Sequence, residues 1–184
     1  MTTARLLALL ALLALAAPAA AQGVLVDKSE IAFTVKQMGV NFDGRFRTWK
    51  ADVVFDPRNL ATSRAVLDVD LASIDLASAE SESEAQGKLW LDSARFPVAH
   101  FASTAIRAAG EGRYEVNGKL SIKGITRDCQ VPVTVKIDAA GNRVAEGSFA
   151  LRRLDYRIGE GQWADTGIVD DAVVVRVRIV LPPA

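Results

Sequence analysis

The sequence from residue 114 to residue 122 is Tyr-Glu-Val-Asn-Gly-Lys-Leu-Ser-Ile, in which apolar or small residues alternate with polar ones at every step. A period of two places every apolar side chain on one face of an extended strand and every polar side chain on the other. Strands with one buried face and one wet face are typical of antiparallel sheets. The stretch therefore predicts an antiparallel strand that lies against an apolar interior.

The same alternation recurs in seven further segments on both sides of this strand. They span residues 31–35, 51–55, 65–71, 99–104, 129–137, 145–151 and 173–181. Turn-forming residues separate them, among them Asp56-Pro57-Arg58-Asn59 and Ala139-Ala140-Gly141-Asn142. Eight such strands predict an all-β protein, folded either as a sandwich or as a closed barrel, and a closed barrel has no exposed edges.

Many inward-facing positions of these strands carry small residues. They include Ala51, Ala65, Ala99, Gly118, Val133, Ala145 and Gly147. An eight-stranded barrel is about wide enough to be filled by side chains or to hold one small ligand, and small side chains on its wall leave room. The pattern favours a cavity, while the residues alone leave a well-packed small core open as the alternative.

One segment departs from the β pattern. Ser81 and Glu84 have the spacing of a capping box, in which both side chains accept hydrogen bonds from backbone N–H groups at the start of a helix. Glu84 and Lys88 are four residues apart and so form a favourable pair on one helical face. The sequence predicts a short helix over about 82–92, inserted after the third or fourth strand.

The first part of the chain is predicted to be a targeting segment. Residues 6–21 contain no polar side chain, follow Arg5, and end in Ala19-Ala20-Ala21. A basic start, an apolar run and small residues at the end are typical of a secretory signal peptide. The run is also shorter than the roughly 20 apolar residues of a membrane span. We expect residues 1–21 to be cleaved and residues 22–184 to form a single domain with no membrane span.

Charge and reactive residues exclude several classes of function. The 22 Lys and Arg residues balance 22 Asp and Glu residues without a basic tract, so nothing indicates nucleic-acid binding. The sole histidine, His100, and the sole cysteine, Cys129, are too few for a zinc site, a disulfide or a histidine-based triad. We expect His100 on the wet face of its strand and Cys129 as a buried apolar thiol. The sequence predicts no catalytic residue, no metal ligand and no cofactor.

Ordered motifs along the chain resemble the YceI family of secreted bacterial proteins. They are Phe33-Thr34-Val35-Lys36-Gln37-Met38-Gly39-Val40, Gly44-Arg45-Phe46, Phe55-Asp56-Pro57, Ser73-Ile74-Asp75, Trp90-Leu91-Asp92, Phe96-Pro97, Phe101-Ala102-Ser103-Thr104, the segment 118–127, the segment 153–159 and Gly161-Gln162-Trp163-Ala164. No single motif is specific, but their order over the chain is.

The resemblance implies an extended, lipocalin-like antiparallel β-barrel, and the eight strands predicted from the alternation make the expected fold an eight-stranded antiparallel β-barrel. Its long apolar tunnel would bind a polyisoprenoid or similar long-chain lipid of the quinone or polyprenyl type. The resemblance also implies residence in the periplasm and a possible homodimer. Together with the inward phase of the strands, it predicts a tunnel wall of Phe33, Val35, Phe46, Val53, Phe55, Leu67, Val69, Phe101, Val116, Leu120, Val133, Val135, Phe149, Leu151, Val175 and Val177.

Two other functions stay open from the sequence. A non-catalytic interaction module would have a solid barrel core and would dock a membrane or respiratory partner. An enzyme acting on a lipid head group would need a reactive pair, for which the family motifs offer Asp75 with Arg153 or Asp155. Gln37 stands where many relatives have His, and Leu91 where relatives often have Phe, so both departures bear on the ligand more than on the fold.

Overall fold

The computed structural model describes residues 23–183, which form one antiparallel sheet of ten strands and one α-helix. The strands are β1 (Glu30–Gln37), β2 (Val40–Phe46), β3 (Trp49–Val54), β4 (Arg64–Asp70), β5 (Ile74–Asp75), β6 (Val98–Ala108), β7 (Arg113–Ile122), β8 (Ile125–Ile137), β9 (Arg143–Arg152) and β10 (Val169–Leu181). The helix, α1 (Ala79–Gln86), lies between β5 and β6. The predicted signal peptide, residues 1–21, lies outside the described residues. Within residues 23–183 no helix is long and apolar enough to cross a membrane.

An all-β, barrel-like fold is confirmed, but the predicted number of eight strands is wrong, because the sheet has ten. The additional strands are β2 and β5. In β2, Phe42, Gly44 and Phe46 alternate with polar residues, and the glycine in the middle of the apolar series hides the period. β5 is only two residues long and pairs with the end of β2, so no period could reveal it.

The sheet rolls up until its two ends lie side by side. Its strand order is β3-β4-β6-β7-β8-β9-β10-β1-β2-β5, which places β2 and β3 near opposite ends. Arg47 and Thr48 alone connect these two strands, and the three Cα–Cα steps involved reach about 11 Å at most. Backbone hydrogen bonds from Arg47 N to Ser73 O and from Asp70 N to Thr48 O, both 3.0 Å, fix this corner. The short connection thus requires the barrel-like shape.

The register of the strand ladders places the predicted apolar series on the inner face. Leu67 on β4 pairs with Phe101 on β6, and Phe101 pairs with Leu120 on β7. On the other side of the barrel, Phe33 on β1 pairs with Val175 on β10. Directly paired residues share one face of a sheet, so these side chains all point into the same interior.

Helix α1 begins and ends earlier than the predicted 82–92, which is wrong at both ends, and it follows β5 rather than a third or fourth strand. Its N-cap is Ser78, whose side chain accepts a hydrogen bond from Ser81 N at 3.2 Å. Glu80 in the first turn complements the positive end of the helix dipole. Gly87 occupies the C-cap and ends the helix after two turns.

Two packed clusters of apolar side chains lie toward opposite ends of the barrel. The first, near the C-terminal end of β10, consists of Ile31, Trp49, Val53, Phe55, Ile179 and Leu181. The second, near α1, consists of Leu71, Ile74, Leu91, Ala99, Ile122 and Tyr156. The interior between them is where the candidate site lies.

Candidate ligand-binding cavity

The barrel is hollow between the two clusters. The cavity has a volume of about 870 Å³, and apolar side chains form most of its wall. Phe101, Phe149 and Val175, in the middle of the sheet, stay partly accessible because they face open space instead of one another. Pockets for small ligands typically measure about 300–1,000 Å³, so this cavity is of ligand-binding size.

The structure brings all sixteen residues predicted for the tunnel wall to this one cavity. By element they are Phe33 and Val35 on β1, Phe46 on β2, Val53 on β3 and Phe55 just after it, Leu67 and Val69 on β4, Phe101 on β6, Val116 and Leu120 on β7, Val133 and Val135 on β8, Phe149 and Leu151 on β9, and Val175 and Val177 on β10. That they contact a ligand stays a prediction.

Inward-facing glycines keep the cavity open by giving room to phenylalanine rings. A Cβ added at Gly44 would overlap the ring of Phe33 and lie 2.7 Å from Leu76 Cδ2. A Cβ added at Gly118 would lie 2.6 Å from the ring of Phe101. Each ring therefore packs close to the backbone of the neighbouring strand, where any larger residue would push it into the lumen.

The cavity is closed at the end that carries the first cluster. Arg143 is buried there, and its Nη1 donates to the carbonyl oxygen of Phe55 at 3.3 Å while its Nη2 donates to that of Pro182 at 3.0 Å. The Phe55 ring packs edge-on against Tyr114, with ring centroids 5.0 Å apart and an interplanar angle of 87°. Arg143 thus ties β9 to the segments that follow β3 and β10, and the cavity ends blind.

The cavity opens at the opposite end, beside α1. The exposed helix residues Glu80, Ser83 and Glu84 line it there. Trp90 and Trp163 also line this end, with ring centroids 5.5 Å apart. Trp163 Nε1 donates to Glu84 Oε1 at 3.1 Å and so joins α1 to the connection between β9 and β10. This opening is the mouth of the cavity.

Polar contacts hold α1 at the mouth. The helix has no buried residue. Glu82 Oε1 accepts hydrogen bonds from Arg47 Nη2 at 2.9 Å and from Leu76 N at 3.2 Å, and Gln86 Nε2 donates to Ala72 O at 3.2 Å. The hydrogen bond from Arg47 is the main reason why the pKa of Glu82 lies below its ordinary value. Its apolar contact with the second cluster is limited to the partly buried Ala85, and a two-turn helix has little stability of its own.

Arg153 is a buried cation near the mouth. It donates to the backbone carbonyl oxygens of Asp170, Ile158, Gly159, Trp163 and Val169, at 2.7–3.0 Å. Burial lowers the pKa of Arg153 from its ordinary value, although a guanidinium remains charged in proteins. All of its donors are engaged, so Arg153 organises the connection between β9 and β10 and has no N–H left for a ligand.

Trp90 carries a buried indole N–H that has no acceptor among residues 23–183. Such an unsatisfied buried donor costs about 1–3 kcal/mol, and most buried polar groups in native proteins are bonded. The indole ring lines the cavity, and the Arg153 guanidinium carbon lies 5.7 Å from its centroid. An acceptor atom near the mouth would satisfy this N–H.

The residues considered for an enzyme do not meet. Asp75 accepts a hydrogen bond from Arg45 Nε at 2.7 Å, and that bond is the main cause of its lowered pKa. Arg153 is bonded to backbone carbonyls instead, and the Asp155 residue is exposed. Neither of the pairs suggested by the motifs is therefore formed.

The two other reactive residues lie outside the cavity wall. His100 is exposed, and its Nδ1 lies 2.6 Å from Asp68 Oδ1. Cys129 is partly buried, and burial raises the pKa of its thiol to about 11, which suppresses the reactive thiolate. In the part of the chain that the structure describes, no group of His, Cys, Asp and Glu side chains is arranged to hold a metal ion.

The prediction omitted some of the wall. Phe42 lies on β2, which forms part of the cavity wall. The alternation of Phe42, Gly44 and Phe46 with polar residues could have predicted this. Trp90 and Trp163 come from connections without a period, so only the family motifs contained them. Gln37, one of the departures from the family pattern, also lines the cavity.

A rolled antiparallel sheet around an apolar cavity is an architecture that can enclose a small ligand. Residues 24–181 match the model of the YceI-like domain family. The chain therefore belongs to that family, and the resemblance predicted from the motifs is confirmed.

Two solved structures share the fold over most of this chain, and a curated relative matches part of its sequence. The chain is similar to the crystal structure of BcnA from Burkholderia cenocepacia, with 37% identity over 86% of this chain and 99% of that one and a TM-score of 0.83. A polyisoprenoid binding domain from Saccharophagus degradans, implicated in plant cell wall breakdown, shares the fold at 15% identity, over 90% of this chain and 99% of that one, with a TM-score of 0.72. A UPF0312 protein of Vibrio vulnificus is 32% identical over 114 residues, which span 61% of this chain and 58% of that protein.

Proposed function

We propose that this chain binds a polyisoprenoid or similar long-chain lipid, of the quinone or polyprenyl type, in its cavity. The observation that carries the proposal is the blind cavity of about 870 Å³ with its largely apolar wall. The polyisoprenoid binding domain of the same fold supports this class of ligand. The protein would carry or store the lipid without turnover, since Arg143 and Arg153 on the wall are held in structural hydrogen bonds.

The cavity volume sets the length of tail that is enclosed. At about 30 Å³ for each water-sized group, a volume of about 870 Å³ holds on the order of 30 groups, or about six five-carbon units. Each unit removed from water gains on the order of 3–4 kcal/mol before costs, at about 0.8 kcal/mol per methylene. The lost freedom of the chain offsets much of this gain. A long tail can therefore bind tightly with few head-group contacts.

The lipid would bind with its head group at the mouth. The closed end offers a packed apolar cluster, whereas Glu80, Ser83 and Glu84 gather near the opening. The unsatisfied indole N–H of Trp90 lies at the same end and would donate to a carbonyl, hydroxyl or phosphate oxygen. This orientation places polar atoms next to polar atoms and the tail in the blind end.

We further propose that the protein works in the periplasm after removal of residues 1–21, as a monomer or a homodimer. The apolar run of residues 6–21 and the YceI family support this location. The hollow interior supports the lipid-binding proposal over the interaction-module hypothesis, which requires a solid barrel core.

The direct test is to identify what the purified full chain contains. Organic extraction followed by mass spectrometry is expected to release a prenyl-type lipid, and the stripped protein is expected to bind a polyprenol in a fluorescence titration. A protein that yields no lipid and does not bind polyprenol would contradict the proposal.

A pair of variants on β8 locates the binding site. Val133 lines the cavity and pairs with Gly147, so Val133→Trp fills the lumen. Thr134 is the next residue on the same strand and faces outward, so Thr134→Trp is the matched control. We expect about tenfold or greater loss of polyprenol affinity for Val133→Trp, because tail burial is lost, and little change for Thr134→Trp. Equal affinities in two folded variants would place the lipid elsewhere.

A further inference from the structure

Exposed apolar side chains gather around the mouth. Met38 is 73% exposed, Val40 69%, Leu89 42% and Ile168 37%. These four are called the rim residues. The other exposed large apolar residues, Val26, Val98, Ile137 and Val174, are spread over the N-terminal turn, β6, β8 and β10. Isolated exposed apolar residues are normal on a soluble protein, but a group around an opening is not.

The backbone places three rim residues beside one another at the opening. Gln37 and Val169 line the cavity, and Met38 and Ile168 are their neighbours in sequence. Met38 N donates to Ile168 O at 2.8 Å, and Val40 pairs with Gln37 across the hairpin. The β1–β2 hairpin tip and the start of β10 therefore bring the backbone of Met38, Val40 and Ile168 together at the opening.

Leu89 completes the rim beside the tryptophans. It precedes Trp90, which lines the cavity, and its carbonyl oxygen accepts hydrogen bonds from Gly159 N and Glu160 N, both at 2.8 Å. Its side chain lies 3.9 Å from the position that a Cβ would take at Gly161. The rim residues thus stand on both sides of the opening.

Met38 is unfavourable for the fold where it stands. It has a φ of 48° and Gly39 has a φ of 79°, so the two form a tight hairpin turn with both residues in the left-handed region. Asn is strongly preferred over bulky residues at the first of these positions. A largely exposed methionine there gains nothing from burial and nothing from the turn, which points to a contact outside the chain.

The sides of the barrel are suited to water instead. Ion pairs between strands cover them. Arg178 with Glu146, Lys119 with Asp128 and Arg64 with Asp52 join neighbouring strands, and Arg176 with Asp43 joins β10 to β2 across β1. Charged residues therefore cover the sides of the barrel, whereas the rim residues add apolar side chains to a mouth that also carries Glu80 and Glu84.

We propose that the rim residues insert into the surface of a lipid bilayer, so that lipid passes between the membrane and the cavity without entering water. The inference rests on the proposed lipid-binding function, because a bilayer is where a long-chain isoprenoid is dissolved. Membrane insertion of apolar side chains around the opening would bring the mouth to the source of the ligand. The partner is a bilayer of neutral lipids, since the insertion is driven by apolar burial rather than by charge.

The test is a substitution that should stabilise the fold and at the same time weaken binding to membranes. Met38→Asn suits the left-handed turn and removes an inserting side chain, so it is expected to raise the urea midpoint of unfolding and to weaken partition onto phosphatidylcholine vesicles about tenfold. Ile137, 65% exposed at the end of β8, provides the matched control. Ile137→Asn is expected to leave vesicle partition unchanged.

Flotation of the vesicles measures partition, and titration of the stripped proteins with polyprenol measures cavity binding separately. Met38→Asn is expected to bind polyprenol as the wild type does. Equal vesicle partition of wild type and Met38→Asn overturns the membrane proposal. A second result also overturns it: the wild type does not bind vesicles but forms a dimer in solution, and Met38→Asn dissociates that dimer. That result would assign the rim residues to contact with a second copy of the chain. A wild type that does not bind polyprenol contradicts the proposed function instead.

Discussion

At Gly44 the lumen depends on the absence of one methyl group. The ring of Phe33 occupies the space that a Cβ would need, and Leu76 Cδ2 would lie 2.7 Å away. We expect Gly44→Ala to destabilise the protein by about 1–3 kcal/mol, the usual cost of overpacking. It should also weaken polyprenol binding, because the displaced ring enters the cavity. Urea unfolding and fluorescence titration measure the two effects.

Two further variants isolate the role of the ring. Gly23→Ala adds the same methyl group where nothing lies within 4 Å, so it should leave both measurements unchanged. Adding Phe33→Leu to Gly44→Ala should recover part of the lost stability, since the smaller side chain relieves the overlap. If the loss in free energy of unfolding of the double variant equals the sum of the losses of the two single variants, the Phe33 ring is not the cause of the destabilisation by Gly44→Ala.

Single residues also set the ends of the cavity. Arg143 closes one end and Arg153 organises the other, and both donate to backbone carbonyls of segments distant in sequence. Neither role shows in a pattern of apolar and polar residues, because it depends on which carbonyls the folded chain leaves without partners. The carbonyl ligands of a buried arginine are a product of the fold.

At the scale of the elements, polar contacts hold most of α1 in place. Glu82 has a pKa below its ordinary 4.5 in the folded protein, chiefly through Arg47, with Leu76 N as a second donor. The contact therefore stabilises α1 fully above the ordinary pKa and is lost as the pH falls through the lowered one. Arg47 also donates a hydrogen bond to Asp75, whose pKa is likewise below its ordinary value. This contact is therefore also lost as the pH falls.

We expect amide hydrogen exchange in residues 79–86 to accelerate as the pH falls below about 4.5, after correction for intrinsic rates. Glu82→Gln should already exchange fast at neutral pH and show little further change. Glu80→Gln, at an exposed position on the same helix, loses only the favourable interaction with the helix dipole and should exchange slightly faster than the wild type, far less than Glu82→Gln. An equally protected helix in Glu82→Gln would show that the Arg47 contact does not hold α1.

The sequence predicted most elements because a strand with one wet face has a period that is visible in the chain. The pattern failed at β2, where Gly44 replaces an apolar residue to make room for Phe33 from the neighbouring strand. It failed again at α1, where Ser78 caps the helix although Ser81 and Glu84 have the capping-box spacing. In both cases contacts with a neighbouring segment decided the structure, and a local sequence pattern carries no information on such contacts.

The wall of the candidate site was predictable for the same reason as the strands. Once β4 and β6 were assigned, the alternation decided that Leu67 and Phe101 face inward, and the structure places both on the cavity. The mouth was not predictable in this way. Trp90 and Trp163 belong to irregular connections, and their positions follow from hydrogen bonds such as that of Trp163 to Glu84.

At the scale of the molecule, a hollow barrel forgoes part of the packing that stabilises an ordinary core. Side chains around a void lack contacts on one side, and the partly accessible Phe101, Phe149 and Val175 are examples. A ligand that fills the cavity supplies those contacts. Binding only to the folded state adds about 2.7 kcal/mol of stability at a free ligand concentration 100 times the Kd.

We therefore expect the melting temperature of the stripped protein to rise by several degrees when polyprenol is added, as followed by calorimetry. Val133→Trp should melt at the same temperature with and without polyprenol, because the lumen is occupied. If polyprenol does not change the melting temperature of the wild type, the empty and filled proteins are equally stable. That result would contradict binding of the lipid tail in the cavity.

The pairing of β1 with β10 has a consequence for how the protein is made. Glu30 lies opposite Arg178 and Val35 opposite Val173. The first strand of the chain therefore cannot complete its pairing until the last strand is available. Contacts this distant along the chain form slowly, and until they form, β1 and β9 each present an open edge that can pair with other chains. Folding thus leaves open sheet edges exposed to other chains until the thirteen residues of β10 have paired with both neighbours.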